Sequence, residues 1–245
     1  MNILLTISYD GTNYFGWQRQ KNQITVQEEI ETALSKLMKK DIEVRGASRT
    51  DTGVHAYSQA AFFKTETTIP VEKLPYAINS FLPDDIVVIN ARLVSDEFHP
   101  QYSVIKKTYQ YKILNSEFRD PKLRNYAEFE RKPLDISKMQ EACKYFIGTF
   151  DFNAFCASGS TAKTTVRTIF DLSVSKNGDI IDIEVTGNGF LYNMVRIIAG
   201  TLIYVGSGKI KPQDIKNIIE SKDRTLAGKT ASACGLTLMK IYYKE

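Results

Sequence analysis

The sequence has little of the material from which metal sites, disulfide frameworks and histidine-based catalytic triads are built. Its 245 residues include only two histidines, His55 and His99, and three widely spaced cysteines. Three cysteines at such spacings support neither a disulfide framework nor a zinc cluster. Two histidines leave few candidates for a histidine metal site or a serine-type triad. These two large classes of enzyme are therefore disfavoured.

The sequence also lacks a signal-peptide pattern and an uninterrupted apolar span. The N-terminus has no basic region before its apolar residues and reaches an acidic residue at Asp10. The most apolar region, 190–205, carries Arg196 in its middle, and an arginine at a bilayer centre costs roughly 2.5–3.5 kcal/mol on insertion scales. We expect a cytoplasmic protein that does not bind membranes.

The composition is that of a globular protein with a slight excess of positive charge. Hydrophobic residues make up 43% and charged residues 24%, with a net charge of +4. From Lys106 to Lys132 there are eight Lys or Arg against four Asp or Glu, so this stretch alone carries +4. Such a balance suits a polyanionic partner without requiring one, because a run of charge is commonly a solvated face.

Hydrophobic periodicity predicts an α+β protein made of two similar units that share a sheet. Each half offers several strands and at least two helices, which gives domains at 1–104 and 105–245. Asn177-Gly178 predicts a two-residue hairpin turn, and the aromatic loop 13–18 is expected to pack locally. Strands are predicted at 2–9, 42–45, 57–64, 86–94, 105–114, 168–175, 179–186 and 236–243, and helices at 26–38, 71–81, 135–147, 190–205 and 212–221.

The stretch 46–56 has the composition of a reactive loop. Asp51 lies two residues after Arg49 and two before Gly53, among small and hydroxylated residues with no apolar period. Arg49 can keep a nearby carboxylate ionised, and glycine permits backbone angles that other residues resist. An ordinary Asx-turn with a surface ion pair explains the same residues equally well. The stretch alone leaves both interpretations open.

Arg196 is unusual because it falls in a strongly apolar predicted helix. There it shares a stripe with Gly200, which we expect to give the guanidinium space. A buried arginine needs an acidic partner or a phosphate, although the side chain can instead extend to the surface. On the strand 105–114, Tyr109 and Tyr111 share one face.

Four motifs together resemble the tRNA pseudouridine synthase A family. They read Arg-Thr-Asp-x-Gly-Val-His at 49–55, Tyr-Asp-Gly-Thr-x-Tyr-x-Gly-Trp-Gln at 9–18, Lys-Thr-Tyr-x-Tyr at 107–111 and Phe-Leu-Tyr-Asn-Met-Val-Arg at 190–196. The order is right and the resemblance covers essentially the whole chain; Thr52 stands where the family commonly has Ala.

The resemblance implies an isomerase without metal or cofactor that converts uridine to pseudouridine at positions 38 to 40 of the tRNA anticodon arm. It also implies a homodimer with the pseudouridine synthase fold, in which two α/β units with mixed or antiparallel strands form one extended sheet and a central cleft. The apolar residues Phe150, Phe152 and Phe155 are candidates for the interface of the dimer.

The family pattern also assigns roles to individual residues. Asp51 matches the catalytic nucleophile, Arg196 pairs with it, and Tyr109 stacks on the uracil and is a possible base for the proton at C5. Arg49 is expected to contact RNA where the target nucleotide leaves its stack. The candidate phosphate contacts are Lys106, Lys107, Lys112, Arg119, Lys122, Arg124, Lys163, Arg167 and Lys229.

Two other functions remain open at the level of sequence. One is a non-catalytic RNA-binding protein, in which Asp51 belongs to a structural turn. The other is a glycosidase or nucleosidase that uses the same carboxylate and releases free uracil.

Overall fold

The computed structural model describes residues 1–244, whose backbone divides into two compact units. The first unit comprises residues from Met1 to Ile105 and the segment from Thr237 onward, and the second comprises Lys106–Leu236. The last strand of the chain thus belongs with the N-terminal unit. The predicted folding domains at 1–104 and 105–245 stay a prediction, because a division by backbone contacts does not test independent folding.

Ten strands and five α-helices are present in the described residues. In chain order they are β1 (Asn2–Tyr9), α1 (Val26–Met38), β2 (Arg45–Gly46), β3 (His55–Lys64), α2 (Leu74–Asn79), β4 (Ile86–Leu93), β5 (Val104–Asn115), β6 (Glu128–Glu130), α3 (Ile136–Cys143), β7 (Gly148–Asp151), β8 (Val166–Asn177), β9 (Ile180–Gly187), α4 (Met194–Gly206), α5 (Asp214–Ser221) and β10 (Leu236–Tyr243).

The two units have different strand arrangements. In the first unit the strand order is β4-β1-β3-β10, with β1 antiparallel to both neighbours, β10 parallel to β3, and the short β2 paired with β3. In the second unit β5, β9, β8 and β7 follow one another antiparallel, and β6 pairs parallel with β5. The predicted α+β class with mixed and antiparallel strands is confirmed.

The local patterns in the sequence explain the first elements. Along β1 the alternate residues Ile3, Leu5 and Ile7 are fully buried, as expected for a strand with one core face. Thr25 caps α1 by accepting a hydrogen bond from the backbone N–H of Glu28, which satisfies one of the unpaired donors of the first turn.

Several predicted elements differ from the structure in position. The hairpin turn consists of Gly178 and Asp179 instead of Asn177-Gly178, since Asn177 still pairs with Ile180 and Gly178 has the positive φ of 56°. The strand predicted at 42–45 is reduced to β2. The helix predicted from residue 190 begins only at Met194, because the residue before it adopts a left-handed conformation.

The phenylalanines that were expected at a dimer interface belong mostly to the core of the second unit. Phe152 and Phe155 are fully buried and their rings meet edge to face, and Phe146 packs against Phe155. Only Phe150 is exposed. The expectation was wrong for two of the three, because these rings fill the unit's own interior and cannot reach a partner.

Candidate active site

The signature stretch of the sequence forms the loop between β2 and β3, which we call the Asp51 loop (residues 47–54). Asp51 is half-buried, Arg49 is exposed and Thr50 is buried. The backbone N–H of Val54 donates to the carbonyl oxygen of Asp51 at 3.1 Å, which closes a turn directly after the carboxylate. Asp51 is therefore the first residue of a turn, and the residue before it, Thr50, is buried.

The aromatic loop 10–18 holds the Asp51 loop by hydrogen bonds to its backbone and side chains. Trp17 N donates to Thr50 O at 3.0 Å, and Gly53 N donates to Tyr14 O at 3.3 Å. From the end of β1 the hydroxyl of Tyr9 adds a third contact, 2.7 Å from the hydroxyl of Thr50. These contacts lie on both sides of Asp51, so the backbone that carries the carboxylate is fixed before and after it.

Glycines in the aromatic loop allow this close approach. Gly16 has a φ of +83°, and a Cβ added to it would lie 2.5 Å from Thr50 O. A Cβ added to Gly11 would lie 2.0 Å from Val54 O. Both distances are far below van der Waals contact, so no other residue fits these two positions without moving the Asp51 loop.

The aromatic rings at 13–18, within loop 10–18, mainly serve packing, as predicted. Trp17 and Tyr14 are buried, whereas Phe15 is exposed. The hydroxyl of Tyr14 donates to Asp85 Oδ1 at 2.5 Å, and Asp85 O accepts from Asp10 N at 2.9 Å. Burial, followed by the bond to Asp85, raises the pKa of Tyr14 well above its ordinary value. The aromatic loop is therefore itself tied to the start of β4.

His55, the last residue of the signature, ties β3 to the end of β1. The ring is buried, and its Nδ1 accepts a hydrogen bond from Gly11 N at 3.0 Å. The same Nδ1 lies 3.1 Å from Asp10 Oδ1, but a nitrogen that accepts the Gly11 proton cannot donate to a carboxylate. Asp10 Oδ1 instead accepts from the backbone N–H and the hydroxyl of Thr12.

Arg196 lies in the first turn of α4, where two acceptors fix its guanidinium. Its Nε donates to Ala231 O at 2.7 Å, and its Nη1 donates to Asn193 Oδ1 at 2.8 Å. In return Ala231 N donates to Arg196 O at 3.1 Å. Asn193 is the residue before α4 with a φ of 59°. The half-buried guanidinium is therefore oriented by its neighbours.

The space that Gly200 provides is filled by backbone. A Cβ added to Gly200 would lie 1.9 Å from Lys229 O, and one added to Gly228 would lie 2.5 Å from the backbone of Thr201. The expectation that Gly200 makes room for the guanidinium of Arg196 was wrong. The glycine instead lets the segment 228–232, which carries Ala231, lie directly on α4.

Tyr109 and Tyr111 lie in different surroundings on β5. Tyr109 is 7% exposed, and its ring meets Phe190 edge to face with centroids 5.2 Å apart. Tyr111 is fully buried, and its hydroxyl lies 2.6 Å from Glu128 Oε2 and 2.8 Å from Ser232 O. Tyr111 is thus a structural residue, and of the two only Tyr109 retains any exposed surface.

The basic residues beside Tyr109 are half-buried. Lys106 and Lys107 precede it on β5, and Lys107 lies opposite Gly187 of β9. Burial lowers the pKa of Lys107 to about 8. Lys107 therefore loses its positive charge near pH 8, where an ordinary lysine is still protonated.

The predicted site residues are distributed over both units. Those of the first unit share the Asp51 loop: Arg49 and Asp51. Those of the second unit lie on β5 and α4: Lys106, Lys107, Tyr109 and Arg196.

Sequence reasoning missed the residues that orient Arg196. Asn193, three positions before the arginine, has a spacing that could have identified it. Ala231 carries no local signal.

No group of three or more His, Cys, Asp or Glu side chains is placed to hold a metal ion among residues 1–244. None of the helices in this range is long and apolar enough to cross a membrane.

The sequence of this chain is similar over its whole length to sequences of known proteins. The family model described as tRNA pseudouridine synthase matches residues 5–103 and 142–244. Proteins named tRNA pseudouridine synthase A are 56% identical in Thermoanaerobacter sp. (strain X514) and 54% identical in Caldicellulosiruptor saccharolyticus, and in each case 99% of both chains is covered. In solved structures, a Cbf5-Nop10-Gar1 complex shares 10% identity with a TM-score of 0.40, covering 98% of this chain and 59% of that chain.

Proposed function

The chain belongs to the tRNA pseudouridine synthase family, and we propose that it isomerises uridine to pseudouridine at positions 38 to 40 of the tRNA anticodon stem-loop. The observation that carries the proposal is the Asp51 loop, whose signature sequence is fixed on both sides of the carboxylate by loop 10–18. The family predicted from the four motifs is confirmed. Relatives named as synthases over the whole chain favour the enzyme over a non-catalytic RNA-binding protein.

The reaction breaks the N1–C1′ glycosidic bond, turns the uracil and rejoins it to C1′ through C5. Asp51 is the nucleophile of the proposal, because a carboxylate can form a covalent intermediate that divides one difficult displacement into two easier ones. When C1′ bonds to C5, that carbon keeps its original hydrogen, which must leave as a proton to restore the ring, and N1, released from C1′, takes up a proton. Atoms therefore balance without an external reagent, as an isomerase requires.

Arg196 and Tyr109 assist Asp51 in this proposal. A guanidinium that pairs with Asp51 keeps the carboxylate ionised and hence nucleophilic. Tyr109 stacks on the uracil and is the candidate base for the proton at C5. The fixed orientation of Arg196 supports its role, since a preorganised charge costs little reorganisation during the reaction.

The remaining predicted residues serve RNA binding. A uridine in a stem must leave its stack to meet Asp51, at a cost of a few kcal/mol. Arg49, exposed on the Asp51 loop, occupies the vacated space in the proposal, and Lys106 and Lys107 contact phosphates.

We also propose that the protein acts in the cytoplasm as a homodimer. Light scattering of the purified protein tests the dimer, and a monomer mass would contradict it.

One assay separates the three functions. We incubate the purified protein with tRNA that carries tritium at uracil C5, and measure tritium in water and free base in parallel. The isomerase releases tritium and leaves the base attached to RNA. A glycosidase would release free uracil, and binding with neither product would mean a non-catalytic RNA-binding protein.

A further inference from the structure

Glu128, which accepts a hydrogen bond from the hydroxyl of Tyr111, is a buried carboxylate with no role in the proposed reaction. It lies on β6 in the segment between β5 and α3 and is only 8% exposed. Three donors surround it: its Oε2 accepts from Ser232 N at 2.8 Å and from the Tyr111 hydroxyl at 2.6 Å, while Lys229 pairs with its Oε1. A buried charge is tolerated when it is paired and hydrogen-bonded in this way.

The electrostatics agree with an ionised Glu128. Burial pushes its pKa up, but the bonds from Lys229, Tyr111 and Ser232 push it down further, so the net pKa is below the ordinary value. The carboxylate therefore stays charged at neutral pH. Lys229, a candidate phosphate contact in the sequence, here serves as the ion-pair partner of Glu128.

Two of these donors belong to the segment 228–232, whose other contacts lead to Arg196. Gly228 N donates to the hydroxyl of Thr201 at 2.8 Å, which anchors one end of the segment on α4. Glu128 holds the other end through Lys229 and Ser232. Ala231 lies between these anchors, next to Ser232.

Ala231 is one of the two residues that orient the guanidinium. Its carbonyl oxygen accepts from Arg196 Nε at 2.7 Å, and its N–H donates to Arg196 O at 3.1 Å. A shift of Ser232 would move the peptide that joins it to Ala231, and that peptide contains the carbonyl oxygen in question. The position of this acceptor thus depends directly on the bond from Ser232 N to Glu128.

We propose that Glu128 is a positioning residue for Arg196, acting through Ser232 and Ala231. It touches neither substrate nor reacting atoms; it fixes the acceptor that sets the direction of the guanidinium. The proposal rests on the proposed function only where it links this geometry to turnover. Its structural part concerns the free protein alone.

The first test is spectroscopic and needs no substrate. In protein labelled with ¹⁵N-arginine, the Nε–H of Arg196 is assigned by its absence in Arg196→Lys. We expect this proton to be protected from exchange in the wild type, and its protection to fall at least about tenfold in Glu128→Gln when the bond to Ala231 loosens. Unchanged protection in a folded Glu128→Gln protein would overturn the proposal.

The chain offers a matched control in Asp151. This carboxylate also accepts from a hydroxyl, a backbone N–H and a lysine, namely Thr165, Asn153 and Lys222. Asp151→Asn should leave the Arg196 signal unchanged. Should Glu128→Gln fail to fold, Glu128→Asp keeps the charge but is one methylene too short for all three donors, and the same loss of protection is expected.

The second test links position to turnover. Under single-turnover conditions with tritiated tRNA, we expect Glu128→Gln to slow release by about 10- to 100-fold, as small misplacements do, with tRNA affinity little changed. In an Arg196→Lys background the same substitution should add less than about twofold, because coupled residues are non-additive. Full additivity would overturn the proposal. If the wild type releases no tritium, the proposed function fails, while the exchange measurement still tests the position of Arg196.

Discussion

The Asp51 loop and Arg196 are held by different kinds of contact. The loop is fixed mainly by backbone hydrogen bonds from one adjacent loop and by glycines that permit close approach. The guanidinium of Arg196 is fixed by the carbonyl oxygen of Ala231 and the side-chain amide of Asn193. The residue after Ala231 donates its backbone N–H to the buried carboxylate of Glu128. A loop held through its backbone tolerates side-chain changes that do not move the backbone, whereas a side chain held by individual acceptors depends on the position of each acceptor.

The largest effect that follows is expected for Arg196→Lys. A lysine has no Nε–H and no planar fork, so it cannot donate to Ala231 O and Asn193 Oδ1 in the same geometry. We expect turnover to fall about 10²- to 10³-fold, the usual loss for a preorganised electrostatic group. Single-turnover tritium release measures it, with Arg92→Lys on β4 as a control. Turnover equal to that of the control would remove Arg196 from the site.

The next effect concerns the backbone that holds the Asp51 loop. Gly16→Ala combines a left-handed conformation, which costs about 1–2 kcal/mol, with overpacking against Thr50 O, which costs about 1–3 kcal/mol. Gly159→Ala is the matched control, because Gly159 has a φ of +85° but nothing within 4 Å of an added Cβ. Urea unfolding of both variants isolates the steric part. Equal losses of stability would contradict the close approach of the two loops.

A smaller effect is expected where the aromatic loop is tied to β4. Tyr14→Phe removes the hydroxyl that donates to Asp85 Oδ1 and should lower the free energy of unfolding by about 1–2 kcal/mol. The exposed Tyr76 provides the control, since Tyr76→Phe removes a hydroxyl at the surface. Thermal unfolding compares the two. A Tyr14→Phe protein as stable as Tyr76→Phe would mean that this bond contributes nothing.

The smallest effect is a dependence of tRNA binding on pH. Because burial lowers the pKa of Lys107 to about 8, its charge disappears as the pH rises through 8, and affinity should weaken several-fold there. Lys107→Met should remove that step, whereas Lys64→Met should retain it. The unfolded chain keeps this lysine charged up to about pH 10.4. Between pH 8 and 10 the unfolded state therefore binds more protons than the folded state, and the free energy of unfolding rises with pH. Identical binding profiles for the wild type and Lys107→Met would contradict the assignment.

The features that could be predicted best from the sequence are those determined by residues close together in the chain. The alternation of Ile3, Leu5 and Ile7 and the cap at Thr25 are local features, and both elements appear where they were expected. The hairpin at Gly178 was found but its turn was displaced by one residue, because register depends on pairing across the strands. The start of α4 was missed by four residues because Asn193 leaves the helical conformation to meet Arg196.

The site shows the same limit. Asp51 was recognisable because Thr50 and Gly53, which bond to the aromatic loop, lie next to it in an uncommon motif. Arg196 was noticed because a charge in an apolar helix is unusual, but the cause of its orientation was not visible. Glu128 lies in a polar segment that looked like a solvated connection, and only the fold brings it to Ser232.

The most direct test of the account compares Asp51→Asn with Asp41→Asn, an exposed aspartate ahead of the same loop. Each variant and the wild type are mixed in excess with C5-tritiated tRNA, and tritium release, pseudouridine content and tRNA affinity are measured on the same samples. We predict that the wild type and Asp41→Asn form one pseudouridine for each tritium released. Asp51→Asn should form none while binding tRNA within about tenfold, or about 1.4 kcal/mol, of the wild type. Pseudouridine formation by Asp51→Asn at the wild-type rate would contradict the account.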